Sequence, residues 1–168
     1  SEIFPNGASA LPLVEGTVAR TQLNDDTLLT SGKVNGQAVN EFPFAITRAD
    51  LDRGEQRFNI YCSPCHGRTG EGNGMVVQRG YRQPPSYHID RLRQAPAGFI
   101  FDVISNGFAV MPDYRSQIPV DDRWRIVAYV RALQLSHQGT KADVPAAELA
   151  KLEHPVAATA PKPAEEAH

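Results

Sequence analysis

The sequence predicts an all-α fold, a small bundle of three or more helices around one covalently held group, with an extended N-terminal arm and a Pro/Ala-rich C-terminal tail. Three observations predict it. Helical apolar spacing with start and stop signals recurs between Thr47 and Ser136, both cysteines lie in the single motif Cys62-Ser63-Pro64-Cys65-His66, and Pro, Ala and Gly crowd both ends. Lys plus Arg number 17 against 19 Asp plus Glu, so a net charge of -2 supplies no basic field for nucleic acid. No apolar run approaches the roughly 20 residues that span a bilayer. Ser1-Glu2-Ile3-Phe4-Pro5 lacks the basic and apolar regions of a signal peptide, so the sequence reads as a soluble, processed chain.

Residues 1–46 mix Pro5, Pro12 and Pro43 with Gly7, Gly16, Gly32 and Gly36, and no period persists, which predicts the extended arm. Thr47-Arg48-Ala49-Asp50 is a capping box, with Ile46 and Leu51 at the positions of a hydrophobic staple; a helix starts there and runs to about Tyr61. Gly67-Arg68-Thr69-Gly70-Glu71-Gly72-Asn73-Gly74 is too rich in glycine for an element interior and predicts a loop held against something. Pro96 suits the first turn of a second helix, with Phe99, Ile100, Val103 and Ile104 as its buried stripe and Asn106-Gly107 as a left-handed stop.

Pro119 suits the first position of a third helix, where Asp121 and Asp122 complement the dipole. Trp124, Ile126, Val127, Tyr129, Val130 and Leu133 form its apolar face, and it should end near Ser136. Beyond Gly139, Pro145, Pro155, Pro161 and Pro163 permit only a short helix around residues 146–153, so this tail should be disordered by itself. The resulting partition is a partner-binding arm at 1–46, a helical domain at 47–137 and a low-complexity tail at 138–168.

The chemistry lies in the motif. In Cys-x-x-Cys-His each thiol can add across a vinyl group of haem, and the adjacent imidazole is then held under the iron as an axial ligand. One haem c, covalently bound through Cys62 and Cys65 and ligated by His66, is the expected cofactor. Two other readings compete. A thioredoxin-type dithiol wants a strand before it and a helix after it, whereas a helix precedes and a glycine loop follows here. A structural zinc needs a second ligand pair, and His88, His137, His154 and His168 are badly spaced for one.

The opposite axial ligand decides what such a haem does, because a thioether raises the potential and closes the iron to added ligands. Met75 lies only nine residues beyond His66, whereas Met111 lies far enough along to pass the haem edge, in a loop stiffened by Pro112. Met111 is therefore the expected ligand, with Met75, or His88 in a bis-histidine site, as the rivals.

These residues resemble a class I cytochrome c. Gly54 and Phe58 precede Cys62 by eight and four positions, and Ile126 and Tyr129 stand on the last helix, where the resemblance implies a crossing of first and last helices over the glycine. It also implies that a carbonyl of Pro84 or Pro85 accepts the other ring proton of His66. Tyr81, Arg82, Tyr87, Arg91 and Trp124 are candidates for contacts to the haem propionates, which need donors when partly buried.

A closer likeness is to the monohaem cytochrome c subunit of alternative complex III, a bacterial quinol-oxidising respiratory complex. It rests on Glu15-Gly16-Thr17-Val18-Ala19-Arg20 and Glu41-Phe42-Pro43-Phe44, on Arg57 through Gly67, on Gly72 through Gly80, and on Asp122-Arg123-Trp124. This resemblance implies an electron carrier with no substrate of its own, not an enzyme by itself. Its partners would be a multihaem cytochrome and other subunits of a membrane complex, with a downstream cytochrome or terminal oxidase as acceptor. Its place would be periplasmic or on the outer face of the cytoplasmic membrane. Some relatives begin with a lipidated cysteine, and none precedes Ser1 in this sequence. The alternatives are a free, soluble electron shuttle, against which the near-balanced charge argues, and a haem enzyme or gas sensor with an open iron.

Overall fold

The computed structural model describes residues 16–17, 26–145 and 148–149. Two compact units form. One joins the described residues up to Ala45 to Pro96–Trp124, and the other joins Ile46–Ala95 to the described residues from Arg125 onward.

In the second unit, helix α2 spans Arg48–Tyr61, and both halves of the expected capping box on Thr47 and Asp50 are present. Thr47 N–H donates to Asp50 Oδ2 (3.0 Å), and Asp50 N–H donates to Thr47 Oγ1 (3.3 Å), satisfying two orphan donors of the first turn. The same carboxylate accepts from Arg125 Nε at 2.8 Å, tying the start of α2 to α6, the helix at Val120–His137. Phe58 is fully buried on α2 and meets the ring of Tyr129 at 5.3 Å between centroids. Helix α3, Ser63–His66, follows directly, with Cys62 as the joint.

Asp50 supplies a pH test. The Arg125 guanidinium first, then the Thr47 donors, hold its carboxyl down at about 2. A depressed folded-state value stabilises the fold above the ordinary Asp range near ~4 and is lost as pH falls toward about 2. Melting temperatures across that window should fall more steeply for the native chain than for Asp50→Asn. Parallel curves would remove Asp50 from the acid response.

In the first unit, α5 spans Ala97–Asn106 behind Pro96, as expected. Its stop differs in detail: Gly107 has φ 76 but ψ 169, positive φ without the left-handed helical ψ. Its core face differs too. Ile100 and Ile104 are buried as expected, but Phe101 is fully buried while Phe99 and Val103 are only half-buried. The reason is tertiary: Phe101 stacks on Trp124 at 4.5 Å and 17°, and Arg123 Cζ lies over the same Phe101 ring, 4.9 Å from its centroid. Arg123 also donates to the hydroxyl of Ser105, a buried pair on α6 and α5.

The described part of the arm is more structured than an extended segment. Helix α1, Thr27–Ser31, is capped by Asp26, whose Oδ1 accepts from Leu29 N–H at 2.9 Å. Strands β1, Lys33–Val34, and β2, Gln37–Ala38, pair antiparallel around Asn35-Gly36, both at positive φ, the geometry of a two-residue hairpin turn. The hairpin docks on α5 through Gly98 N–H to Val39 O (2.8 Å) and Ala97 N–H to Asn40 Oδ1 (3.2 Å). These bonds satisfy donors at the start of α5, where Pro96 provides no side-chain cap.

Helix α6 begins one residue after Pro119 and reaches His137, matching the expected span. Ile126, Val127 and Val130 of its expected face are buried, whereas Tyr129 and Leu133 are half-buried. Short elements without a sequence expectation are α4, Asp90–Gln94, and 3₁₀ turns at Val77–Arg79 and at Lys141–Asp143, the last within the expected low-complexity tail. No helix among the described residues is long and apolar enough to cross a membrane. The arm phrase at 15–20 and the tail helix expected at 146–153 fall mostly outside the described residues, apart from Gly16, Thr17, Glu148 and Leu149.

Candidate haem-attachment site

Helix continuity places the motif. Cys62 N–H donates to Phe58 O (2.9 Å), ending α2, and Cys62 O then accepts from Cys65 N (3.1 Å) and His66 N (2.9 Å), winding α3. One turn of helix therefore presents two free thiols and an imidazole. Ser63 Oγ locks the joint by donating to Asn59 O at 2.8 Å.

The glycine loop after His66 closes on its own chain. A Cβ at Gly72 would overlap the Pro84 carbonyl oxygen, and one at Gly70 would meet the Tyr87 ring. Backbone bonds confirm the close approach: Gly72 N–H to His66 O (2.8 Å), Gly74 N–H to Cys65 O (3.0 Å) and Tyr87 N–H to Gly70 O (2.9 Å). Glycine is needed here because backbone, with no room for a methyl, forms the wall around the motif.

Electrostatics separate the competing chemistries. Burial, with a smaller contribution from Cys65, pushes the Cys62 thiol up to about 12, the opposite of an activated redox thiol. Burial likewise holds the His66 imidazole down at about 4, so at neutral pH its nitrogen lone pair is free to bind a metal. Among the described residues no cluster of three or more His, Cys, Asp or Glu could hold a metal ion. The residues present fit a covalently bound haem.

The remaining site residues divide. His66 Nδ1 is buried and has no hydrogen-bond partner among the described residues, the Pro84 and Pro85 carbonyls included. What covers that imidazole is the Tyr87 ring, stacked at 4.6 Å and 11°. Tyr87 was expected at a propionate, and its stack on His66 had no signal in the sequence because the two residues are distant in the chain. Trp124 was also expected at a propionate. Its indole N–H instead donates to Leu29 O at 2.8 Å, and the residue is fully buried between Phe101 and Phe42.

Tyr81, Arg82 and Arg91 are exposed. Met111 is half-buried in a tight turn, bridged to Phe108 by Phe108 N–H to Met111 O (3.0 Å) and Met111 N–H to Phe108 O (2.9 Å). Ala109, inside that turn, has φ 53, an uncommon conformation for a residue with a side chain. Of the rival ligands, Met75 is exposed, and His88 donates from Nε2 to Thr69 O (2.8 Å) while its ring stacks on His137.

Residues 49–130, just under half of the chain, match the family model described as cytochrome C oxidase, cbb3-type, subunit III. No curated protein matches the sequence. Among solved structures, similarity is found to a reducing HAO-like protein complex of Kuenenia stuttgartiensis, with 18% identity and a TM-score of 0.49, covering 64% of this chain and 54% of that one. This chain thus spans about half the length of that relative. Cytochrome cL of the marine methylotrophic bacterium Methylophaga aminisulfidivorans MPT is similar at 20% identity and a TM-score of 0.45, covering 73% of this chain and 83% of that one.

Proposed function

We propose, from the cytochrome c domain at residues 49–130, that this chain carries single electrons through one haem c bonded to Cys62 and Cys65 and ligated by His66 and Met111. The observation that carries the reading is the single turn of α3, where two free thiols adjoin a buried, neutral imidazole. When bound, the haem supplies reversible one-electron iron chemistry. The chain supplies the rest: two anchoring sulfurs, a nitrogen donor shielded from water, and glycine backbone that lets the wall approach closely.

Met111 is supported by its place beyond α5 in a turn with two backbone bonds, which holds the side chain without a regular element. The commitment of His88 Nε2 to Thr69 O favours Met111 over a bis-histidine site. In the ferrous protein the native chain should take up little carbon monoxide, and Met111→Ala should bind it readily, read from the absorption spectrum. Ready binding by the native chain would instead favour the open-iron reading.

On the finer question, we assign the chain to a membrane-bound, quinol-oxidising respiratory complex of the alternative complex III type, on the periplasmic or outer face of the membrane. In this assignment a multihaem cytochrome is the donor and a downstream cytochrome or terminal oxidase the acceptor. Quinol chemistry then lies in other chains. The arm and tail at 1–46 and 138–168, around a haem domain at 47–137, support this over a diffusing shuttle, which has no use for them. Co-purification from solubilised membranes should bring down multihaem partners. A chain that leaves the membrane in low salt without detergent and runs as a monomer supports the soluble shuttle.

A further inference from the structure

Helix α5 is fastened at both ends by segments far apart in the chain. At its start the hairpin segment supplies acceptors to the N–H groups of Ala97 and Gly98, and Gly32 lies backbone to backbone on Gly98, with no room for a Cβ on either residue. At its end the loop that carries Met111 leaves and returns. Gly107 N–H donates to Val103 O (2.9 Å) and Tyr114 N–H donates to Ile104 O (2.9 Å), so the two roots of that loop satisfy two carbonyls of the last turn.

A line of side-chain bonds runs between these two ends. Lys33 Nζ, on β1, donates to Asp102 Oδ2 at 3.1 Å. Asp102 Oδ1 accepts from Asn106 Nδ2 at 2.6 Å, one turn further along α5. Asn106 Oδ1 in turn accepts from Arg115 Nη2, at the far root of the Met111 loop. Asp102 gives one oxygen to each neighbour, and Asn106 uses its donor on one side and its acceptor on the other. Turning either side chain therefore releases the next member. The Lys33–Asp102 pair alone would count for little, since its side chains are 36% and 32% exposed. Within the line it fixes which way the Asp102 carboxylate faces. Arg115 needs such a tether: burial first, and then the Arg115 charge, hold the Arg123 guanidinium below its ordinary value, so the two cations lie close enough to repel.

We propose that the hairpin braces the Met111 loop through Asp102, Asn106 and Arg115, which makes these residues and Lys33 positioning residues for the thioether. The inference rests on Met111 being an axial ligand. A thioether presented from a braced loop keeps its place when the iron changes charge, whereas a slack loop lets an added ligand compete for the iron.

The test uses the full-length haem-loaded chain in the ferric state, with imidazole as the competing ligand and amide exchange as a second readout. Lys33→Met removes the charge and keeps the stem at a half-exposed position. Its imidazole affinity should rise about three- to tenfold, the weight of one or two hydrogen bonds, and exchange at residues 107–115 should quicken while α2 stays native. Asp102→Ala cuts the line on both sides and should do the same by at least as much. Lys33→Arg restores a donor and should return both readouts to native values, which a general loss of stability would not do. Native affinity and native exchange in Lys33→Met and Asp102→Ala overturn the proposal. A rise in Asp102→Ala alone overturns it too, because the hairpin then has no part. Faster exchange with native imidazole affinity also overturns it, since the loop then moves without loosening the thioether. If the native chain, once reduced, takes up carbon monoxide readily, Met111 is not the ligand and that reading fails; exchange at 107–115 in Lys33→Met then still decides whether the hairpin braces the loop.

Discussion

Gly54→Val is expected to prevent stable folding, and Gly54→Ala to lower stability by about 1–3 kcal/mol, the range for methyl groups forced into a filled core. A Cβ at Gly54 would overlap the carbonyl oxygen and carbon of Arg125 and press on Cβ of Tyr129. The obstacle is backbone, so no side-chain rotation relieves it, and α2 and α6 would have to separate. Separation would also stretch the Arg125–Asp50 ion pair (2.8 Å) and the Phe58–Tyr129 contact. Alanine regains about 1 kcal/mol of helix propensity over glycine, which offsets part of the loss. Denaturant midpoints at constant slope measure the difference. An alanine variant as stable as the native chain would show that the helices do not need the close approach.

The second large effect is expected at Trp124→Ala, with a loss of about 3–5 kcal/mol, the usual range for removing a large buried aromatic. The ring fills the space between Phe101, stacked at 4.5 Å, and Phe42, edge-on at 5.5 Å. Its N–H is the partner of Leu29 O, so truncation also leaves a carbonyl at α1 without its donor. Trp124→Phe separates the two contributions: it keeps the stack and should cost about 1 kcal/mol for the lost hydrogen bond. Amide exchange across residues 26–45 should rise in both variants, because Trp124 is one of the ties between that segment and the helical core. Protection unchanged in Trp124→Ala would mean that the hairpin bonds to α5 suffice.

Local chemistry was legible at three helix termini. The Thr47–Asp50 capping box, the end of α5 at Asn106 and the start of α6 after Pro119 each depend on residues within one turn of each other, and each expectation stands to within a residue. One local signal was passed over. Asn35-Gly36 between Lys33-Val34 and Gln37-Ala38 is a strong hairpin mark, hidden by reading the whole arm as aperiodic. The partner of the Trp124 indole was not legible for a different reason. An indole N–H needs an acceptor when buried, but which acceptor depends on where residue 29 lies, 95 positions away in the chain.

The sequence by itself determined the attachment motif, since Cys62, Cys65 and His66 are set on one helical turn by spacing alone, and it determined α2, α5 and α6 but not the short α1 and α4. Only the tertiary structure decided how that motif is surrounded. Burial sets the charge state of His66 and Cys62, and burial is a property of the whole packing rather than of five consecutive residues. The Tyr87 ring stacked on His66 is likewise a long-range outcome, and the Tyr87 carbonyl accepts from Gln134, 47 residues further along the sequence.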